Sequence, residues 1–147
     1  MNAIEFLKKE HKKAKAGLKK IEQASATQRR QLWARLAPEL KLHEQLEATY
    51  FYGPLAADTG STDQTLASWA QEHEEQVREA ESLIEKISGA DPSDEGWLDR
   101  IRELESVLAR HIQTEEQEIW PRARKTWDDA KLDDAGRQME HRHQEAA

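Results

Sequence analysis

Four stretches of this chain repeat apolar residues at intervals of three and four, the spacing that places side chains on one face of an α-helix. Ile4, Leu7, Ala14, Leu18 and Ile21 form the first stripe, on a helix that Asn2 opens and Glu5 completes as a capping box. Ser25 or Thr27 opens a second helix carrying Leu32, Leu36, Leu40, Leu46 and Tyr50, expected to end near Gly53-Pro54. The stretch from Gly53 to Thr62 reads as the longest loop. A third helix runs from about Asp63 to Ile87, with Leu66, Trp69, Val77, Ala80, Ile84 and Ile87 inward. Gly89 and Asp91-Pro92 separate it from a fourth, which uses Trp97, Ile101, Leu104, Leu108 and Ile119. Pro121 is expected to kink or end that helix. Rods with such stripes bury them only against one another, which predicts an all-α, antiparallel up-down-up-down four-helix bundle. Residues 1–125 are expected to form the bundle, and 126–147 a C-terminal extension. In the extension Leu132, Ala135 and Met139 suit a short fifth helix, and EHRHQEAA suits a frayed polar end that includes His141 and His143.

Composition narrows the function. The chain has no Cys, so disulfides, thiolate metal sites and thiol catalysis are excluded, and any metal must be held by imidazole and oxygen. The net charge is −7 with acids and bases interleaved, which argues against nucleic acid or an anionic membrane as partner. There is no apolar run long enough to span a bilayer. The start, MNAIEFLKKEHKK, lacks the apolar core of a signal peptide, so a cytoplasmic protein is expected.

Each stripe is interrupted where a core should be apolar. His11 lies on the first, His43 and Glu47 on the second, His73 on the third, His111 and Glu115 on the fourth. Counting to the shared end of the bundle, back to Ile4 and Leu66 and forward to Tyr50 and Ile119, gives seven or eight residues in each case. All four imidazoles therefore sit about 10–12 Å from that end and converge. An unpartnered carboxylate in an apolar interior is very unfavourable, and no Lys or Arg occupies a stripe at this level. A metal centre would neutralise Glu47 and Glu115, with the carboxylates bridging two ions and the imidazoles as terminal ligands.

The segments His43-Glu44-x-x-Glu47 and His111-x-x-x-Glu115-Glu116, followed by Ile119-Trp120-Pro121 and accompanied by His11 and His73, resemble the hemerythrin-like HHE cation-binding domain. The resemblance covers about residues 1 to 125. It implies two iron ions, oxo- or hydroxo-bridged, inside the bundle, with His11 and His43 on one iron, His73 and His111 on the other, and Glu47 and Glu115 bridging. The oxygen-carrying hemerythrins place a His-x-x-x-His pair on helix three, whereas Trp69 and Val77 flank His73 here. Glu44 is the candidate for an additional ligand, and water is the alternative. Tyr50 either bonds into or ligates the site, or is a core aromatic at the bundle end.

An open iron position favours turnover of a small ligand over reversible storage of dioxygen. The expected function is therefore a di-iron protein that binds and turns over hydrogen peroxide, nitric oxide or dioxygen, with no protein partner identified. Trp69, Leu7, Leu66 and Ile119 would line the approach. The alternative is a non-enzymatic protein that binds, stores or senses dioxygen or iron.

Overall fold

A computed structural model describes residues 1–59 and 64–146, with side chains placed for 1–58 and 68–146. The described residues are helical almost throughout and contain no strand. Helix α1 spans Ala3–Gln23, and its capping box forms as the sequence predicts: Glu5 N–H donates to Asn2 Oδ1, and Asn2 N–H to the Glu5 carboxylate. Ser25 caps α2, Ala26–Glu47, in a second box closed by Gln28. Helix α3 is Gly53–Thr59, α4 is Gln64–Ser88, α5 is Trp97–Thr114, α6 is Trp120–Thr126 and α7 is Asp129–Ala146.

Helices α1, α2, α4 and α5 form a ring in which α1 packs on α2 and α5, and α4 on α2 and α5. Two apolar cores show how the rods alternate in direction. One joins the start of α1 (Ile4, Leu7) to the end of α2 (Leu46) and to Ile119 and Trp120. The other joins the end of α1 (Leu18, Ile21) to Trp33, to the end of α4 (Ile84, Ile87) and to the start of α5 (Trp97, Ile101). Trp97 closes the second core, its indole N–H donating to the Ile87 carbonyl at 3.1 Å. Neither core includes the buried His and Glu residues, which separate the two.

Two features differ from expectation at the ends of the second and fourth rods. The second does not stop at Gly53-Pro54. It passes through a π-helical turn, residues Ala48–Tyr52, and continues as α3, so Gly53 to Thr59 is helix rather than loop. The fourth passes through a matching π-turn, Glu115–Ile119, into α6. In each case the last wide bond, Gly53 N–H to the Ala48 carbonyl and Trp120 N–H to the Glu115 carbonyl, lies just before a proline. A proline lacks the N–H of the next rung and its ring crowds the carbonyl four residues back. A turn with one extra residue absorbs both defects, so Pro54 and Pro121 are accommodated without ending the rod. Gly53 fits the widened turn, since a Cβ there would lie 2.9 Å from the Ala48 carbonyl oxygen.

The fifth helix is present but longer than expected. Helix α7 runs to Ala146 and packs chiefly along α1, burying Leu132, Ala135, Gly136 and Met139. Asp58 on α3 is tied to this region by the Trp127 indole N–H at 2.7 Å and by the Lys131 ammonium. No described helix is long and apolar enough to cross a membrane.

Candidate metal centre

The layer between the two cores brings together all six residues that the stripes single out. Glu47 and Glu115 are fully buried, His11, His73 and His111 nearly so, and His43 reaches the layer from the rim. Ring centroids lie 5.0 Å apart for His11 and His43, 6.2 Å for His11 and His111, and 4.4 Å for His73 and His111. Trp120 stacks flat on His11 at 5.5 Å and fixes its ring.

The carboxylates divide the imidazoles between them. Glu47 Oε1 faces His43 Nε2 and, at 3.4 Å, His11 Nε2; its Oε2 faces His73 Nε2 at 2.9 Å and His111 Nε2 at 3.5 Å. Glu115 Oε1 lies 3.3 Å from His11 Nε2 and 2.6 Å from His111 Nε2. These are ion-pair distances, yet Nε2 of His11, His43 and His111 and Oε1 of Glu47 and Glu115 make no hydrogen bond. At such separations it is alignment that fails, so these atoms lie close together with their hydrogen-bonding capacity unused. Two overlapping sets, His11–His43–Glu47–His111 and Glu44–Glu47–His73–His111, each gather their donors within 4.8 Å. That is the donor chemistry of a first-row transition metal with nitrogen and oxygen ligands, so the residues fit the implied metal.

The electrostatics of the layer are those of trapped opposite charges. Burial opposes a charge on His11, but the Glu115 and Glu47 carboxylates overcome it and raise its pKa to about 9. Burial likewise opposes charge on His43 and His111; Glu47, with Glu44, raises the first, and Glu115 with Glu47 raises the second. Burial and Glu47 push Glu115 upward, but His111 and His11 outweigh them and bring it to about 2. Glu44 goes the other way: burial and the neighbouring Glu47 charge raise its pKa, and its Oε2 has no hydrogen-bond partner.

The aromatic that meets the site is Tyr52, and sequence reading picked Tyr50. One turn beyond Glu47 an ordinary helix shares the inner face between positions 50 and 51; the wider turn moves that face one residue on, to 51 and 52. Tyr50 is half-buried and lines a surface groove with Leu42, Gln45 and His141. The Tyr52 hydroxyl donates to Glu115 Oε2 at 3.0 Å, and its ring stacks on His73 at 3.9 Å. Burial and the charges of Glu115 and Glu47 raise its pKa well above that of a free phenol, so Tyr52 stays a proton donor.

The approach also differs from expectation. Leu7 and Ile119 are sealed in the first core and Trp69 packs against it, while the Leu66 side chain lies outside the described residues. Access is lateral. A cavity of about 280 Å³ reaches His11, His43, Glu44 and His111 past Leu40 and Leu108. Another of about 380 Å³ reaches Glu44, Tyr52 and His73 past Ala70 and Val77.

A family model described as the hemerythrin HHE cation binding domain matches residues 2–123. The chain is similar to a solved structure of a hemerythrin HHE cation binding domain-containing protein from Mycobacterium kansasii. The two share 25% identity with a TM-score of 0.83, over 99% of this chain and 86% of that one. No curated protein sequence matches. The fold, the His and Glu layer and the match over most of the chain's length place it in the hemerythrin HHE cation-binding domain family.

Proposed function

We propose that this protein holds two bridged iron ions in the layer between its cores and uses them to turn over a small oxidant, hydrogen peroxide or nitric oxide in particular. The observation that carries the reading is the set of buried imidazole and carboxylate atoms that sit within ion-pair distance yet make no hydrogen bond. In this reading His11 and His43 hold one iron and His73 and His111 the other. Glu47 and Glu115 bridge, which agrees with the two oxygens of Glu47 facing different imidazole pairs. Glu44 is the added ligand that offsets the absent second His of α4, supported by its unpartnered oxygen.

When bound, the irons supply redox equivalents and Lewis acidity. The chain's own residues do the rest. Tyr52 keeps its proton on the phenol oxygen and holds Glu115 in place. The lateral cavities, walled by Leu40, Leu108, Ala70 and Val77, admit small ligands and limit bulk water.

Metal analysis and an absorption spectrum of the purified protein test this reading. About two equivalents of iron per chain are expected, with peroxide decomposition that His43→Ala abolishes. Protein without iron, or turnover no faster than that of free iron salts, refutes it. A reversible spectral change with dioxygen and no turnover would select the binding role instead.

A further inference from the structure

A third group of metal-competent side chains lies outside the central layer. Glu10 on α1, Glu39 on α2 and His143 on α7 place their donor atoms within 4.8 Å of one another. His143 Nε2 is 3.0 Å from Glu39 Oε2 and 3.8 Å from Glu10 Oε1, and its ring is held edge-on by Phe6. Glu10 is only 8% exposed, a costly state for a carboxylate. Its other cation is Lys13 Nζ at 3.8 Å, on a side chain that is 57% exposed and free to turn to solvent.

The position of the group gives it a use. Glu10, Glu39 and His143 line the same cavity that reaches His11, His43, Glu44 and His111. Along that cavity wall stand polar atoms without hydrogen-bond partners: Glu44 Oε2 on a side chain more than nine-tenths buried, His11 Nδ1 and both ring nitrogens of His43. The outer triad and the inner cluster thus share one cavity, whose remaining wall is apolar apart from Lys13. One imidazole and two carboxylates suit a divalent first-row ion, and three protein ligands leave positions for water, which keeps the ion exchangeable.

We propose that Glu10, Glu39 and His143 form a divalent-cation site at the outer end of this cavity, through which metal passes to the inner cluster. The delivery role rests on the central layer being a metal centre; the outer site itself does not. The test uses the full chain as purified, titrated with manganese(II) while the free ion is followed by electron paramagnetic resonance. The wild-type chain is expected to bind manganese(II) beyond its inner complement. Glu39→Gln and His143→Ala, both at the rim, are expected to weaken that binding on the order of tenfold or more. Exchange of isotopically labelled ferrous ion into the protein should slow in the same variants, with bound iron at the start unchanged.

Wild-type protein that takes up no manganese(II), or variants that bind it as wild type does, would overturn the site. Unchanged exchange would overturn its delivery role. Protein isolated without iron but showing the variant-sensitive manganese(II) site would refute the proposed function alone, so the two failures are separable.

Discussion

Gly136 lies in the interior of α7 where that helix crosses the start of α1, and replacing it with alanine tests how the fifth helix is held. A Cβ at this position would sit 2.5 Å from the Asn2 carbonyl carbon and 2.8 Å from Ala3 N, and closer still to the Met1 carbonyl oxygen. All three are backbone atoms in or beside the capping box of α1, so no side chain can turn aside to make room. Overpacking against fixed atoms costs about 3 kcal/mol at the upper end of its range. Alanine's better helix propensity returns about 1 kcal/mol. The net loss of about 2 kcal/mol corresponds to a fall in Tm of about 4–8 °C for a domain of this size. Gly17→Ala is the matched control. There the nearest atom is a Leu36 methyl at 3.0 Å, the far end of a flexible side chain, so the propensity gain dominates and Tm is expected to hold or rise. Thermal unfolding followed by circular dichroism measures both. Gly136→Ala as stable as wild type would show that α7 does not depend on this close approach, and equal losses in the two variants would refute the distinction between backbone and side-chain obstruction.

Two further perturbations probe the central layer. Tyr52→Phe removes the donor to Glu115 Oε2 and leaves a buried carboxylate oxygen short of a partner, a loss of about 2 kcal/mol; denaturant unfolding of the metal-loaded protein measures it. In metal-free protein the pH dependence follows from the shifted groups. His11, raised from 6.5 to about 9, contributes stability that is complete below pH 6.5 and lost as pH rises through 9. Glu115, lowered from 4.5 to about 2, contributes stability that is present above pH 4.5 and lost as pH falls through 2. Chelated protein is therefore expected to be most stable between pH 4.5 and 6.5. Iron uptake at neutral pH is expected to release protons, measurable with an indicator dye.

The central layer was legible because a helix has a fixed period. His11, His43, Glu47, His73, His111 and Glu115 each fall on a stripe otherwise filled by Leu, Ile and Trp, and opposed rods of similar length bring them to one level. What was not legible is whatever breaks that period. A single extra residue in a turn moves the inner face from positions 50 and 51 to 51 and 52, and no propensity scale marks it. The nearest signal is positional: Gly53-Pro54 and Pro121 stand about two turns beyond a stripe carboxylate, where a proline strains ordinary α winding. The place of His143 on α7 did leave a trace, since Leu132, Gly136, Met139 and His143 follow the spacing of one helical face through what looks like a polar tail.

The wide turns after Glu47 and at Glu115 make this chain sensitive to length where most helices are sensitive to chemistry. Deleting one residue between positions 48 and 52 would restore ordinary winding and re-phase everything downstream by about 100°. Phe51, Tyr52 and Leu55, now buried, would swing outward together, while His43, Glu44 and Glu47, lying upstream, would keep their places. A variant one residue shorter there would thus retain its histidines and acids and still lose the contacts of Tyr52 with Glu115 and His73, together with the buried packing of its neighbours.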